Sequence, residues 1–294
     1  RGQIIAATGA CRRPVAARIA SGGRVCETVP MTIVLIATAL YLLSTGLLVH
    51  GLAAERAAGS RTWLWPAAAA VVLHGSYHLL VAMRTSGGPD MHFFAALSLV
   101  ALGMAALTTV VGARGRMAAL GVLVFPMAAL LLLAYHGYGH EPSRALGWRL
   151  ATHAWLALLA YATLSIAALL AIMLWLQERA LRRRDFRPWL RALPPLTDLE
   201  ALLFRTITVG FCLLTLTLVT GVLFVDDLLA QKLVHKTVLS VLSWLVFGTL
   251  MIGRRRHGWR GVKAVHWTLS AMVLLLLAFF GSQFVIELVF GHPR

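Results

Sequence analysis

The stretch DDLLAQKLVHKTVLSVLSW, residues 226–244, governs how the whole chain is read. Asp226, Asp227, Lys232 and Lys236 gather around His235, where one long apolar run has ended and another begins. If both runs cross a bilayer, these charges lie at one membrane face and His235 stands at the mouth of the second helix. A ligand-type side chain among charges at a helix mouth points to function. A solvated turn with a capping histidine is the plainer reading, and the two are weighed against the rest of the chain.

Working outward, 59% of residues are hydrophobic and 13% charged, with a mean hydropathy of +0.79. That balance excludes an ordinary soluble domain. The net charge of +16 does not describe a nucleic-acid-binding face, because the arginines fall in short clusters between long apolar runs. Such clustering is the pattern of a multi-pass membrane protein. Cys11, Cys26 and Cys212 form no CxxC spacing, so a thiol redox pair, a zinc site and covalent c-type haem attachment to this chain find no support. There is no Gly-rich phosphate loop, nucleophile elbow or HExxH, and no enzyme activity is expected. Helix centres without carboxylates also argue against an ion-coupled transporter.

Eight runs are long enough for a hydrocarbon core, which takes about 20 helical residues. They cover residues 31–54, 63–83, 91–112, 117–135, 151–177, 199–225, 233–252 and 264–290. The runs are continuous and do not alternate, so helices and not barrel strands are expected. The fold expected is all-α, a polytopic membrane protein of about eight transmembrane helices in one domain over residues 31–292. Residues 1–30 read as a non-native or disordered extension, with Met31 as the natural start. Arg179, Arg182, Arg183, Arg184, Arg187 and Arg191 fill the fifth link, and Arg254, Arg255, Arg256, Arg260 and Lys263 the seventh. Basic links face the cytoplasm, which places both termini outside.

In that orientation His92, His153 and His235 open the third, fifth and seventh helices at the outer face. His78 lies near the outer end of the second helix. His74 is one turn deeper, about 6 Å along the axis and on the same side. Imidazole ligates iron, zinc and copper, and haem iron takes it axially. An isolated interfacial histidine is more often a hydrogen-bonded headgroup-level residue, but His74 near mid-membrane is a functional candidate in its own right. Trp148, Trp155, Tyr138 and Trp244 suit a porphyrin wall or the ordinary interfacial belt equally well.

Several segments agree in order and spacing with one family. These are HAWLALLAYATLSIAALLAIMLWLQERAL from His153, LPPLTDLEALLFRTITVGFCLLTLTLVTG from Leu193, HKTVLSVLSWLVFG from His235 and GWRGVKAVHWTLSAMVLLLLAFFGS from Gly258. The chain resembles the cytochrome c assembly family of haem-handling membrane proteins, the CcsA/CcmC-like group, in its short YpjD/HemX-type branch. The likeness runs from Met31 to Gly291. It implies haem contact at the outer face, with His153 in the place of an external histidine. It also implies that residues 221–244 stand where larger members carry a tryptophan-rich haem-presenting segment, roughly WGxxWxWDPKETW. Lys236 and Trp244 match the end of that pattern and Asp226 or Asp227 its Asp. The earlier tryptophans are replaced by residues such as Val222, Phe224 and Val225, and no second external histidine occurs near Ser282.

The resulting expectation is a bacterial inner-membrane, multi-pass protein that binds haem b non-covalently at the outer face and assists cytochrome c assembly or haem handling. His153 and His235 are the expected axial ligands of the haem iron, with His78, His92 and His74 as secondary candidates. Trp155 and Trp244 would pack the ring. Lys232 and Lys236 would pair with the propionates, with Asp226 and Asp227 beside them. Expected partners are the lipid bilayer, haem and other cytochrome c assembly proteins, and no nucleic acid. The alternatives are a non-haem scaffold or regulator of haem supply acting through the arginine-rich links, and a small-solute transporter. Orientation is directly testable. A reporter fused after Arg184 should be active only in the cytoplasm and one after Glu141 only outside; the reverse at both sites would overturn the placement of the histidines.

Overall fold

The structure, a computed structural model, describes residues 24–53, 61–84, 92–113, 118–138, 147–183, 195–224 and 234–281. Every described element is helical, and eight helices are long and apolar enough to cross a membrane. They are α1 (Arg24–Ala53), α2 (Leu64–Arg84), α3 (Phe93–Gly112), α4 (Ala118–Tyr138), α5 (Trp148–Arg182), α6 (Leu196–Phe224), α7 (Val234–His257) and α8 (Gly261–Leu276). A π-type turn, Leu277–Gly281, continues α8. The eight expected spans are therefore present. Residues 1–23 and 282–294 lie outside the described residues.

Lipid facing explains the surface. Trp65, Val72 and Met83 on α2 are 82%, 68% and 75% exposed, a degree of apolar exposure tolerable where hydrocarbon replaces water. Inside, α1 packs on α2 and α4, and α3 packs on α4, making a first half. In the second half α5 packs on α6 and α8, and α7 on α8. The two halves join where α3 meets α5. Gly103 makes that approach possible, because a Cβ there would lie 2.8 Å from the Cβ of Ala162. Small residues at such crossings let helices gain dispersion contacts that lipid cannot match.

Buried hydroxyls stitch the helices. Ser44 donates to the Trp63 carbonyl at 2.9 Å, Ser243 to Ala271 at 2.7 Å, and Tyr161 to Leu275 at 2.7 Å. These bonds tie α1 to the start of α2, α7 to α8, and α5 to α8. The helix ends carrying Arg179, Arg182, Arg254, Arg255, Arg256 and Arg260 form a basic end of the bundle. There Glu200, mostly buried, accepts a hydrogen bond from Arg260 Nε at 3.1 Å and has Arg254 Nη1 at 3.9 Å. The helix ends away from these arginines are called the far end.

The α3–α5 junction gives a direct test. Gly103→Ala should destabilise the protein in detergent by about 1–3 kcal/mol through overpacking, read as a lower thermal midpoint. Adding Ala162→Gly should recover most of the loss. A single variant as stable as the wild type would show that the crossing is looser than described.

Candidate functional site

The described histidines sort by end. His50, His257 and His266 are exposed at or toward the basic end. His78, His92, His136 and His153 lie at the far end, with His74 one turn below His78. They form two groups, one in each half.

In the second half His153 sits in the second turn of α5 and is half-buried against α6. Its Nδ1 is 3.2 Å from the Thr220 hydroxyl oxygen. That hydroxyl gives its one proton to a carbonyl of its own helix, Leu216 at 2.9 Å or Thr217 at 3.0 Å. Thr220 therefore accepts from His153, and Nδ1 carries the hydrogen. The ring is also hydrogen-bonded to the Thr217 backbone, so α6 holds it at two points and the lone pair is left on Nε2. Gly221 makes the room, since a Cβ there would stand 3.2 Å from His153 Cε1. A metal-ligating histidine has this form, with one ring nitrogen fixed by a hydrogen-bond acceptor and the other free.

Around it, Trp148 meets the Phe224 ring edge-on at 5.8 Å, and Trp155 is 44% exposed. Lys236, in the first turn of α7, places Nζ 5.7 Å from the Phe279 ring in the π-type turn. Phe279 in turn lies 6.0 Å from Tyr161 of α5. π-type turns are frequent at functional sites, and this one brings α7, α8 and α5 together at the far end. Trp244 is about 12 Å along the axis from Lys236. It donates Nε1–H to Thr215 at 2.9 Å and stacks on Phe211 with centroids 5.6 Å apart, so it pins α7 to α6. The backbone of His235 belongs to the first turn of α7, while its side chain, like all of Asp226, Asp227 and Lys232, lies outside the described residues.

In the first half the structure brings His74, His78 and His92 into one cluster. His74 is fully buried, with Nδ1 3.3 Å from the Tyr41 hydroxyl and Nε2 2.9 Å from Ser98 Oγ. His78 Nε2 reaches the same Ser98 oxygen at 3.0 Å. The two rings stack at 5.4 Å, and His78 lies flat on Tyr135 at 4.7 Å. His92 is tilted against Tyr135 at 5.6 Å, and Tyr77 bonds His136 Nδ1 at 2.8 Å. Both nitrogens of His74 are thus engaged, unlike those of His153. Sequence reading missed Thr220, Gly221, Tyr41 and Ser98; each comes from a different helix than the ring it serves, and no spacing rule links them. No group of three or more His, Cys, Asp or Glu suited to a metal ion occurs among the described residues.

A family model described as cytochrome C assembly protein matches residues 62–290, from the start of α2 past the end of α8. The chain belongs to the cytochrome c assembly protein family. Within it, the chain is similar to Inner membrane protein YpjD of Escherichia coli strain K12, 31% identical over 264 residues, 87% of this chain and 98% of that protein. It is also similar to Protein HemX of Brevibacillus brevis, 31% identical over 134 residues, 45% of this chain and 49% of that one. Cytochrome c biogenesis protein CcsA of Prochlorococcus marinus strain MIT 9515 is 29% identical over 90 residues, 30% and 29% of the two chains. No solved structure gives a significant match. The eight spans and the near full-length YpjD similarity make this an inner-membrane member of the cytochrome c assembly protein family.

The imidazole form of His153 is itself measurable. In nitrogen-15 histidine-labelled protein, the signal lost on His153→Ala should be that of a neutral Nδ1–H ring. Thr220→Val should convert it toward the Nε2–H form; no conversion would show that Thr220 does not choose the tautomer.

Proposed function

We propose that the protein binds haem b non-covalently at the far end of α5–α8, with His153 as an axial ligand, and holds it for cytochrome c assembly or haem handling. The observation that carries the reading is His153 itself: its Nδ1 is held by Thr220, its ring is seated against Gly221, and the lone pair is left on Nε2. A bound haem would supply an iron that takes an imidazole nitrogen as ligand. His153 would offer that nitrogen, already in the required tautomer. His235, opening α7, would be the second ligand. Lys236 is at the far end to meet a propionate, with Lys232 assigned the same role. Trp155, exposed about two turns into α5, would cover the ring. Trp244 is assigned to holding α6 and α7 in place, since its indole is already hydrogen-bonded and stacked. The role is binding and presentation, not catalysis, and other cytochrome c assembly proteins are the natural partners.

His74 fits the part less well, because ligating iron would break one of two hydrogen bonds in a fully buried ring. His78 and His92 share its cluster and remain the comparison set for the experiment.

The purified protein should take up haemin and give a Soret band whose position changes on reduction. His153→Ala should abolish or shift that band, and His257→Ala at the basic end should leave it alone. Thr220→Val should weaken affinity about 10–100-fold, the usual effect of losing a ligand's hydrogen-bond partner. A wild type that takes up no haem sinks the reading. An unaltered spectrum in His153→Ala, with loss in His78→Ala, would move the site to the first-half cluster.

A further inference from the structure

A second site is built at the opposite end of the bundle, and it stands apart from the haem reading. Between the first turns of α6 and the last turns of α7 lies a cavity of about 370 Å³ lined by Ala201, Phe204, Arg205, Thr208, Met251, Arg254 and Arg255. Arg254 lays its guanidinium 3.5 Å from the centroid of the Phe204 ring. Its Nη1 is buried without a hydrogen-bond partner among the described residues, because the nearest carboxylate oxygen, on Glu200, is 3.9 Å away. That oxygen already takes a hydrogen bond from Arg260 at 3.1 Å. Arg205 and Arg255 are exposed and form no ion pair among the described residues. Three arginines thus line one hollow, and the one carboxylate oxygen near Arg254 is shared with Arg260.

We infer that this hollow binds an anionic phospholipid, its phosphate held by Arg205, Arg254 and Arg255 and its glycerol and upper chain laid on Phe204, Ala201 and Met251. Guanidinium meets phosphate through paired, charge-assisted hydrogen bonds. The lining selects a lipid over a free phosphate. It is largely apolar, its volume far exceeds an inorganic ion, and it opens between two membrane-crossing helices beside Val209 and Ile252, exposed by 55% and 57%. Basic pockets between transmembrane helices bind anionic lipid headgroups.

The test uses the whole protein, delipidated in neutral detergent, with thermal unfolding as the readout. Phosphatidylglycerol should raise the midpoint at a concentration about tenfold below that needed of phosphatidylcholine. The double variant Arg205→Ala, Arg255→Ala removes two exposed side chains and should fold normally while losing that selectivity. Native mass spectrometry of the same samples should show phosphatidylglycerol retained by the wild type and not by the variant. Equal effects of the two lipids, or selectivity that survives in the double variant, would overturn the inference. A shift of the same size from inorganic phosphate alone would replace it with a soluble-anion site.

Discussion

A polar atom inside hydrocarbon has no water to turn to, so leaving one without a partner in the protein is costly. This constraint forces the backbone into helices, and it governs the side chains too. Thr109, Thr163, Thr206, Thr208, Thr215, Thr217 and Thr268 each return the hydroxyl proton to the carbonyl four residues earlier. Apart from Thr208, whose hydroxyl also reaches Met251 Sδ at 3.9 Å, each has discharged its donor locally and keeps lone pairs for its neighbours. The rule is a matter of helix geometry, yet its effect reaches across helices. Trp244 finds an acceptor in Thr215, and His153 finds one in Thr220.

The link from sequence to chemistry at His153 runs through that step. A threonine on an apolar helix becomes an acceptor because its own backbone has taken its proton. An acceptor at Nδ1 sets the tautomer, and the tautomer leaves the outward nitrogen able to bind a metal. Gly221, one residue along, contributes only absence, and the space it leaves is next to the carbon that flanks both nitrogens. In the first half the same constraint has the opposite outcome: His74 has a partner at both nitrogens and is a structural part of the core. Burial alone therefore does not distinguish the two rings; the pattern of satisfaction does.

The spans were legible because apolar runs and arginine clusters alternate, and a long apolar run has few ways to fold in lipid. Their ends were less so. The fifth run reads as 151–177 but the helix is Trp148–Arg182. Its last turns, QERALR, are polar, and hydropathy drops before the backbone stops being helical; Glu178 and Arg182 pair at 2.7 Å along that extension. The histidines were legible as ligand types at helix mouths, and His74 with His78 as neighbours four residues apart. Their surroundings were not. Ser98 lies 24 and 20 residues from the two rings it joins, and Thr220 lies 67 from His153. Contacts of that kind come from how α2 meets α3 and α5 meets α6, which depends on packing that no local pattern encodes.

Ser98 has one proton for two imidazoles, and this imposes a direction on the first-half cluster. If Ser98 donates to one ring nitrogen, it must accept from the other. Tyr41 breaks the tie. Its buried hydroxyl touches only His74 among the described residues, so it is satisfied as a donor and would be orphaned if it had to accept. The protons then all lean one way, from Tyr41 to His74, from His74 to Ser98 and from Ser98 to His78. The three bonds form a small aligned dipole with its positive head toward the far end of the bundle. A phenol in α1, a helix that precedes the family-matched residues 62–290, is thereby coupled through His74 and Ser98 to His78, although the two side chains share no hydrogen bond.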